Sequence, residues 1–252
     1  MKKIIFGKNG YVGKITLNNP KRLNSLDLEM VKELSNLIKK IKKSSLKAVV
    51  ITGAGNSFCS GGDIAWELKV SRMPKYKAKK ELLFVQKTIS SIESLPQVTI
   101  ALINGYAVGG GNELAMACDI RIALPEAKFI HPEASLGTVA PLGATKRLPR
   151  LVGIGRAKYI LLTGEKIDSK TALEWGLADF IVPEKDSGRF LDSMLAKLAI
   201  NPKKSMELTK KSVNKDYLRD LTDKSEIEYY VECSRTKENR RKLEEFLRKR
   251  PT

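Results

Sequence analysis

Ile103-Asn104-Gly105-Tyr106-Ala107-Val108-Gly109-Gly110-Gly111-Asn112-Glu113-Leu114-Ala115-Met116-Ala117-Cys118-Asp119 is the stretch on which the reading of this 252-residue chain turns. Val98 to Ile103, just ahead of it, has the pattern of a buried strand, and Asn112 to Cys118 that of a short helix. A strand running through three glycines into a helix leaves backbone N–H groups unpaired at the helix N-terminus, where negative charge is favoured. Glycine also lets a ligand approach the backbone closely. On local grounds the same turn could equally be no more than a sharp connection. A phosphate loop is ruled out because no Lys-Ser/Thr pair follows the glycines, and the Gly105-x-x-x-Gly109 spacing is wrong for a dinucleotide fingerprint.

Working outward, Ile4 to Lys8 and Tyr11 to Leu17 flank Asn9-Gly10, a two-residue hairpin signal. From Asp27 to Lys43, apolar residues fall at Leu28, Val31, Leu34, Leu37, Ile38 and Ile41, the spacing of an amphipathic helix. Ala48 to Thr52 reads as a buried strand, Phe58 to Asp63 as a glycine-containing loop, and residues 66–95 as helix broken at Pro74. Ile120 to Ala123 is a third buried strand. Repeated strand–turn–helix units place the chain in the α/β class. After Leu148 it becomes mainly helical: Arg156 to Leu162, Ser169 to Trp175, Arg189 to Ile200 and three more helices towards the end. No Gly-, Ser- or Pro-rich linker interrupts it, so residues 1–190 form the core and residues 191–252 a helical continuation of the same unit.

Composition narrows the chemistry. Hydrophobic residues at 42% and charged residues at 29% describe a folded chain, and no run approaches the roughly 18 apolar residues of a membrane span. The first apolar run, Ile4-Ile5-Phe6, is too short for a signal-peptide core, so a cytoplasmic location is expected. Cys59, Cys118 and Cys233 make no CxxC pair and read as free thiols. The single histidine, His131, argues against a zinc cluster and a Ser-His-Asp triad alike. The net charge of +18 admits nucleic acid, a polyanionic small molecule or simple solubility, and the lysines are scattered rather than clustered.

Gly61-Gly62 forms a second glycine turn. If it meets the first at one edge of the fold, two amides converge on one oxygen; otherwise it merely opens a helix. Glu113, in a first helical turn, satisfies the helix dipole or serves chemistry. Glu133, after Pro132, is surface or catalytic, and His131 structural or functional. The residues alone leave these alternatives open.

Taken together, the motifs resemble the enoyl-CoA hydratase/isomerase (crotonase) superfamily, and its hydratases most. The opening segment is similar to the family signature and Phe58-Cys59-Ser60-Gly61-Gly62-Asp63 to its other oxyanion loop. Asn19-Pro20-Lys21-Arg22-Leu23-Asn24-Ser25-Leu26 resembles its early CoA-side motif. Leu162-Thr163-Gly164, Gly176-Leu177-Ala178, Val182-Pro183 and Glu245-Phe246-Leu247-Arg248-Lys249-Arg250-Pro251 extend the likeness along the chain. The resemblance implies a spiral of ββα units with helical C-terminal residues that assemble trimers, often hexamers. It implies a coenzyme A thioester as substrate and no further cofactor, and with both glutamates and both glycine turns intact a nucleic-acid partner is not expected. It places the thioester oxygen between the N–H groups of Gly62 and Gly110, and Lys21, Arg22, Leu23, Ser60, Asp63 and Ile64 on the CoA side.

Within the family, hydratases resemble one another in keeping both a glutamate after the glycine turn and one in a Pro-Glu element; typical isomerases keep only the second. This chain has both, Glu113 and Glu133, 20 positions apart. The resemblance implies Glu113 as base on water and Glu133 as proton donor to C2, with isomerisation of a 3-enoyl-CoA as the alternative. RNA-binding relatives with a vestigial site are a third class. One departure stands out: Ala140-Pro141-Leu142-Gly143-Ala144-Thr145 has proline where hydratases commonly have glycine. The expectation is an altered water site, with Leu142 narrowing the acyl pocket.

Overall fold

A computed structural model describes residues 2–215 and 225–248. The last residues of the C-terminal motif, Lys249-Arg250-Pro251, lie outside that range.

The chain opens on β1 (Ile4–Asn9) and β2 (Val12–Leu17), an antiparallel hairpin in which Asn9 pairs with Val12 and Gly10 takes φ +54°. α1 (Leu28–Lys42) starts at Asp27, whose side chain accepts from the Met30 N–H, and buries Met30, Val31, Leu34, Ile38 and Ile41. Each such side chain is worth about 1.5–3 kcal/mol when fully buried, which makes that stripe the helix's anchor.

Three consecutive turns of a spiral follow. β3 (Ala48–Gly53) and β4 (Ser57–Cys59) lead into α2 (Ile64–Arg72) and α3 (Lys75–Glu93). β5 (Val98–Ile103) and β6 (Tyr106–Val108) lead into α4 (Gly110–Met116). β7 (Ile120–Ala123) and β8 (Lys128–Ile130) lead towards α5 (Ala144–Val152). The first strand of each turn joins a six-stranded sheet ordered β1-β2-β3-β5-β7-β10, where β10 is Phe180–Ile181, parallel beyond the opening hairpin. The second joins a four-stranded sheet, β4-β6-β8-β9, closed antiparallel by β9 (Ile167–Asp168). Both sheets pack into one apolar core that includes Ile51, Phe58, Ile103, Leu114 and Phe129.

α6 (Ile154–Thr163), α7 (Ser169–Trp175), α8 (Glu184–Ile200) and α9 (Lys203–Val213) continue the chain, and α10 (Ser225–Cys233) and α11 (Lys237–Arg248) pack back on α3 and α2. Among the described residues, no helix is long and apolar enough to cross a membrane.

The small sheet corrects the sequence reading. Phe58 to Asp63 is not wholly a loop, since Ser57–Cys59 is a strand, and Tyr106–Val108 is a strand where only a connection was expected. Three residues are too few to show the alternation by which strands are read. α4 also begins at Gly110 rather than Asn112, and α8 at Glu184 rather than Arg189.

Candidate active site

Parallel pairing of β4, β6 and β8 sets the site. It aligns their C-terminal ends, so Ser60-Gly61-Gly62, Gly109-Gly110 and His131-Pro132-Glu133 emerge side by side. Ligands favour that edge of parallel strands, where backbone groups are not yet spent in the sheet. Gly109 takes φ +48° and ψ −119°, a conformation side chains rarely adopt, and its N–H donates to Ile130 O at 2.8 Å. A Cβ on Gly111 would fall 2.2 Å from the Cys59 carbonyl, so glycine lets α4 seat directly on β4. As a result Gly110 comes against Gly62: a Cβ on Gly110 would lie 3.8 Å from the Gly62 nitrogen. Neither amide donates a hydrogen bond within the described residues. Two free N–H groups therefore open on one pocket, lined also by Leu26, Glu113, Glu133 and Leu142.

Glu113 is fully buried. Its Oε1 accepts from the Leu142 and Ala144 N–H groups at 2.8 and 2.9 Å, and its Oε2 is unpartnered. The two donors flank Gly143 and follow Pro141, so the loop's hold on Glu113 does not pass through the proline nitrogen. Proline's missing N–H is thus no loss to this carboxyl, whereas Leu142 does line the pocket, as expected. The loop is braced from behind. Arg147 donates to Leu142 O at 2.6 Å and pairs with Glu93 at 2.7 Å. Gln86 donates to Pro141 O at 3.0 Å, and Glu226 accepts from Gln86 and from Thr145 N. Burial, then the charges of Glu133 and Glu226, push the Glu113 carboxyl well above the usual carboxylate range, against the Ala144 N–H and Arg147.

Glu133 is buried, not surface, and its Oε2 also lacks a hydrogen bond. His131 is fully buried beside it, with Nδ1 3.4 Å from the carboxylate and Nε2 3.1 Å from Asn112 Nδ2. The lone histidine thus links the glycine-turn helix to the second glutamate.

Two groups in the pocket escaped the sequence reading, Glu67 and Tyr230. Burial, then Glu133 and Asp63, push the Glu67 carboxyl up to about 8. Burial, then Glu67 and Glu133, raise the Tyr230 phenol. Glu67 did carry a signal, being three residues from both Ile64 and Val70 on the buried face of α2. Tyr230 carried none, because its place depends on α10 folding back over the core.

On the outer side, Lys21, Arg22 and Leu23 are exposed, in and after a 3₁₀ turn at Pro20–Arg22. Leu23 O accepts from Ser60 N at 2.9 Å, and Leu26 N donates to Gly61 O at 2.7 Å, which ties this segment to the Gly62 loop. Ser60 and Ile64 line the pocket. Asp63 is more structural than its neighbours: one oxygen caps α2 at Trp66 N and the other pairs with Arg22 at 2.8 Å. Arg22, Leu23, Ser60, Asp63 and Ile64 are thus tied together beside the Gly62 loop, and Lys21 is exposed in the turn before them.

The profile of the enoyl-CoA hydratase/isomerase family matches residues 7–252. The short-chain-enoyl-CoA hydratase of Clostridium acetobutylicum is 34% identical, over 99% of this chain and 96% of its own. An enoyl-CoA hydratase structure from Bacillus halodurans superposes with a TM-score of 0.90 at 27% identity, over 97% of this chain and all of that one. A Thermobifida fusca YX structure, solved in complex with acetoacetyl-CoA, reaches 0.78 at 27% identity, over 92% and 94% of the two chains. With fold, paired glycine turns and family profile in agreement along its length, the chain belongs to the enoyl-CoA hydratase/isomerase family.

Proposed function

We propose that this protein is an enoyl-CoA hydratase, adding water reversibly and syn across the double bond of a trans-2-enoyl-CoA to give a 3-hydroxyacyl-CoA. One observation carries the reading: two buried carboxyl oxygens that accept no hydrogen bond, Glu113 Oε2 and Glu133 Oε2, share a pocket with the free amides of Gly62 and Gly110. The amides receive the thioester oxygen and stabilise negative charge as the acyl group becomes enolate-like; one such donor is worth roughly 3–4 kcal/mol in a transition state. Glu113 takes a proton from water as its oxygen bonds C3, and Glu133 gives a proton to C2. Dehydration reverses both steps. Each positioned acid or base contributes about 10²–10⁴-fold.

Lys21 and Arg22, with Leu23, are assigned to the CoA phosphates and adenine, and Ser60, Asp63 and Ile64 to the inner CoA contact. The naming of the Clostridium relative and the acetoacetyl-CoA held by the Thermobifida structure support a short acyl-CoA. Assembly as a homotrimer or hexamer belongs to the same proposal, supported by exposed Ile154, Leu162, Ile200 and Val213 on the outer helices. The test is turnover of crotonyl-CoA by the protein and its Glu113 and Glu133 variants. An isomerase would survive Glu113→Ala and lose activity with Glu133→Ala.

A further inference from the structure

Glu67 lines the same pocket and has no task in the chemistry above. A Cβ placed on Gly62 would lie 2.0 Å from Glu67 Oε1, so this carboxyl packs against the α-carbon whose own N–H faces the substrate. It makes no hydrogen bond or ion pair among the described residues. The ionisable groups around it are few. Asp63, on its own helix, is committed to Arg22 and the Trp66 N–H. Glu133 faces it from the segment after β8, and Tyr230 from α10. From α3 come Leu82 and Val85, which are apolar. Glu113, with Arg147 behind it, lies across the pocket, and among the described residues no basic side chain lines the cavity.

We propose that Glu67 is a positioning residue of the oxyanion site and that it serves there only as the uncharged acid. The inference rests on the hydratase reading. In the transition state negative charge gathers on the thioester oxygen at the Gly62 amide. A carboxylate packed against the same residue, half-buried and so only partly screened by solvent, would oppose that charge. The neutral acid does not, and its O–H remains available as a donor. Its partial burial in the pocket, then Glu133 and Asp63, favour the neutral form and push the group up to about 8.

The experiment is kcat against pH for crotonyl-CoA hydration, in the full-length protein and in Glu67→Gln, whose amide is neutral at every pH. In the wild type, one pH unit above this value leaves about a tenth of Glu67 uncharged, so kcat should fall about tenfold between roughly pH 7 and 9. Glu67→Gln should lose that fall, its kcat at pH 9 staying within about threefold of its own value at pH 7. The sign separates causes. If the alkaline limb came from the Glu113–Glu133 pair, removing a neighbouring negative charge would let the pair release its proton more easily, and the limb would stay or move down. Either of those results, or a wild type with no alkaline fall up to about pH 9, overturns the inference. A wild type inactive at every pH overturns the hydratase reading instead.

Stability gives a second readout. Because folding raises the Glu67 pKa, its contribution is full below the usual carboxylate range and is lost as pH rises through about 8. The Tm of Glu67→Gln relative to wild type should therefore rise with pH across that window. A flat difference overturns the inference.

Discussion

Glu113 takes two backbone N–H bonds on one oxygen, whereas Glu133 is steadied by a single long contact from His131 Nδ1. Burial, then the Glu133 charge, raise the Glu113 carboxyl well above the usual carboxylate range. Asn112 Nδ2 can only donate, so His131 Nε2 accepts from it and Nδ1 carries the hydrogen that faces Glu133. Taking the imidazole away frees Glu133 to turn. His131→Leu should lower kcat by roughly 10²-fold with little change in KM, since a misplaced acid costs rate rather than binding. His131→Gln, which can still bridge Asn112 and Glu133, should recover much of that loss. Steady-state kinetics of the two variants check this, and equal loss in both would show that the link carries nothing.

The 140–143 loop and α5 act as a clamp on Glu113, and their brace is a buried ion pair, Arg147 with Glu93 of α3. Glu93→Ala leaves the guanidinium buried without its carboxylate and should cost about 3–5 kcal/mol in denaturant unfolding. The same change loosens the Leu142 carbonyl that Arg147 holds, so activity should fall with stability. Sequence periodicity made some elements readable and hid others. β3 is buried at every position and α1 has one clean apolar stripe, so both were legible from residue type alone. β4 and β6 are three residues each, and only their pairing with each other and with β8 marks them as strands. The two glycine turns were therefore visible as motifs, while the sheet that brings them together was not. Glu113 and Glu133 were legible through family likeness; Glu67 had only its helical spacing from Ile64 and Val70 to mark it, and Tyr230 nothing, given its distance along the chain.

At the scale of the molecule, the helices after the core leave large apolar side chains in solvent, Leu162 and Ile200 among the most exposed. The proposed assembly covers such a surface, so light scattering should report three or six times the monomer mass, and a monomer would refute the assembly. The net charge of +18 is spread widely and suits attraction of an anionic CoA ester. All of this serves the central claim, hydration by a carboxyl pair beside two free amides. Its most direct test is the rate of loss of conjugated enoyl absorbance with crotonyl-CoA for wild type, Glu113→Gln and Glu133→Gln, with folding verified by circular dichroism. The wild type should turn over, and each folded variant should lose at least about 100-fold. A wild type without hydration activity, or a Glu113→Gln variant that hydrates normally, would contradict it.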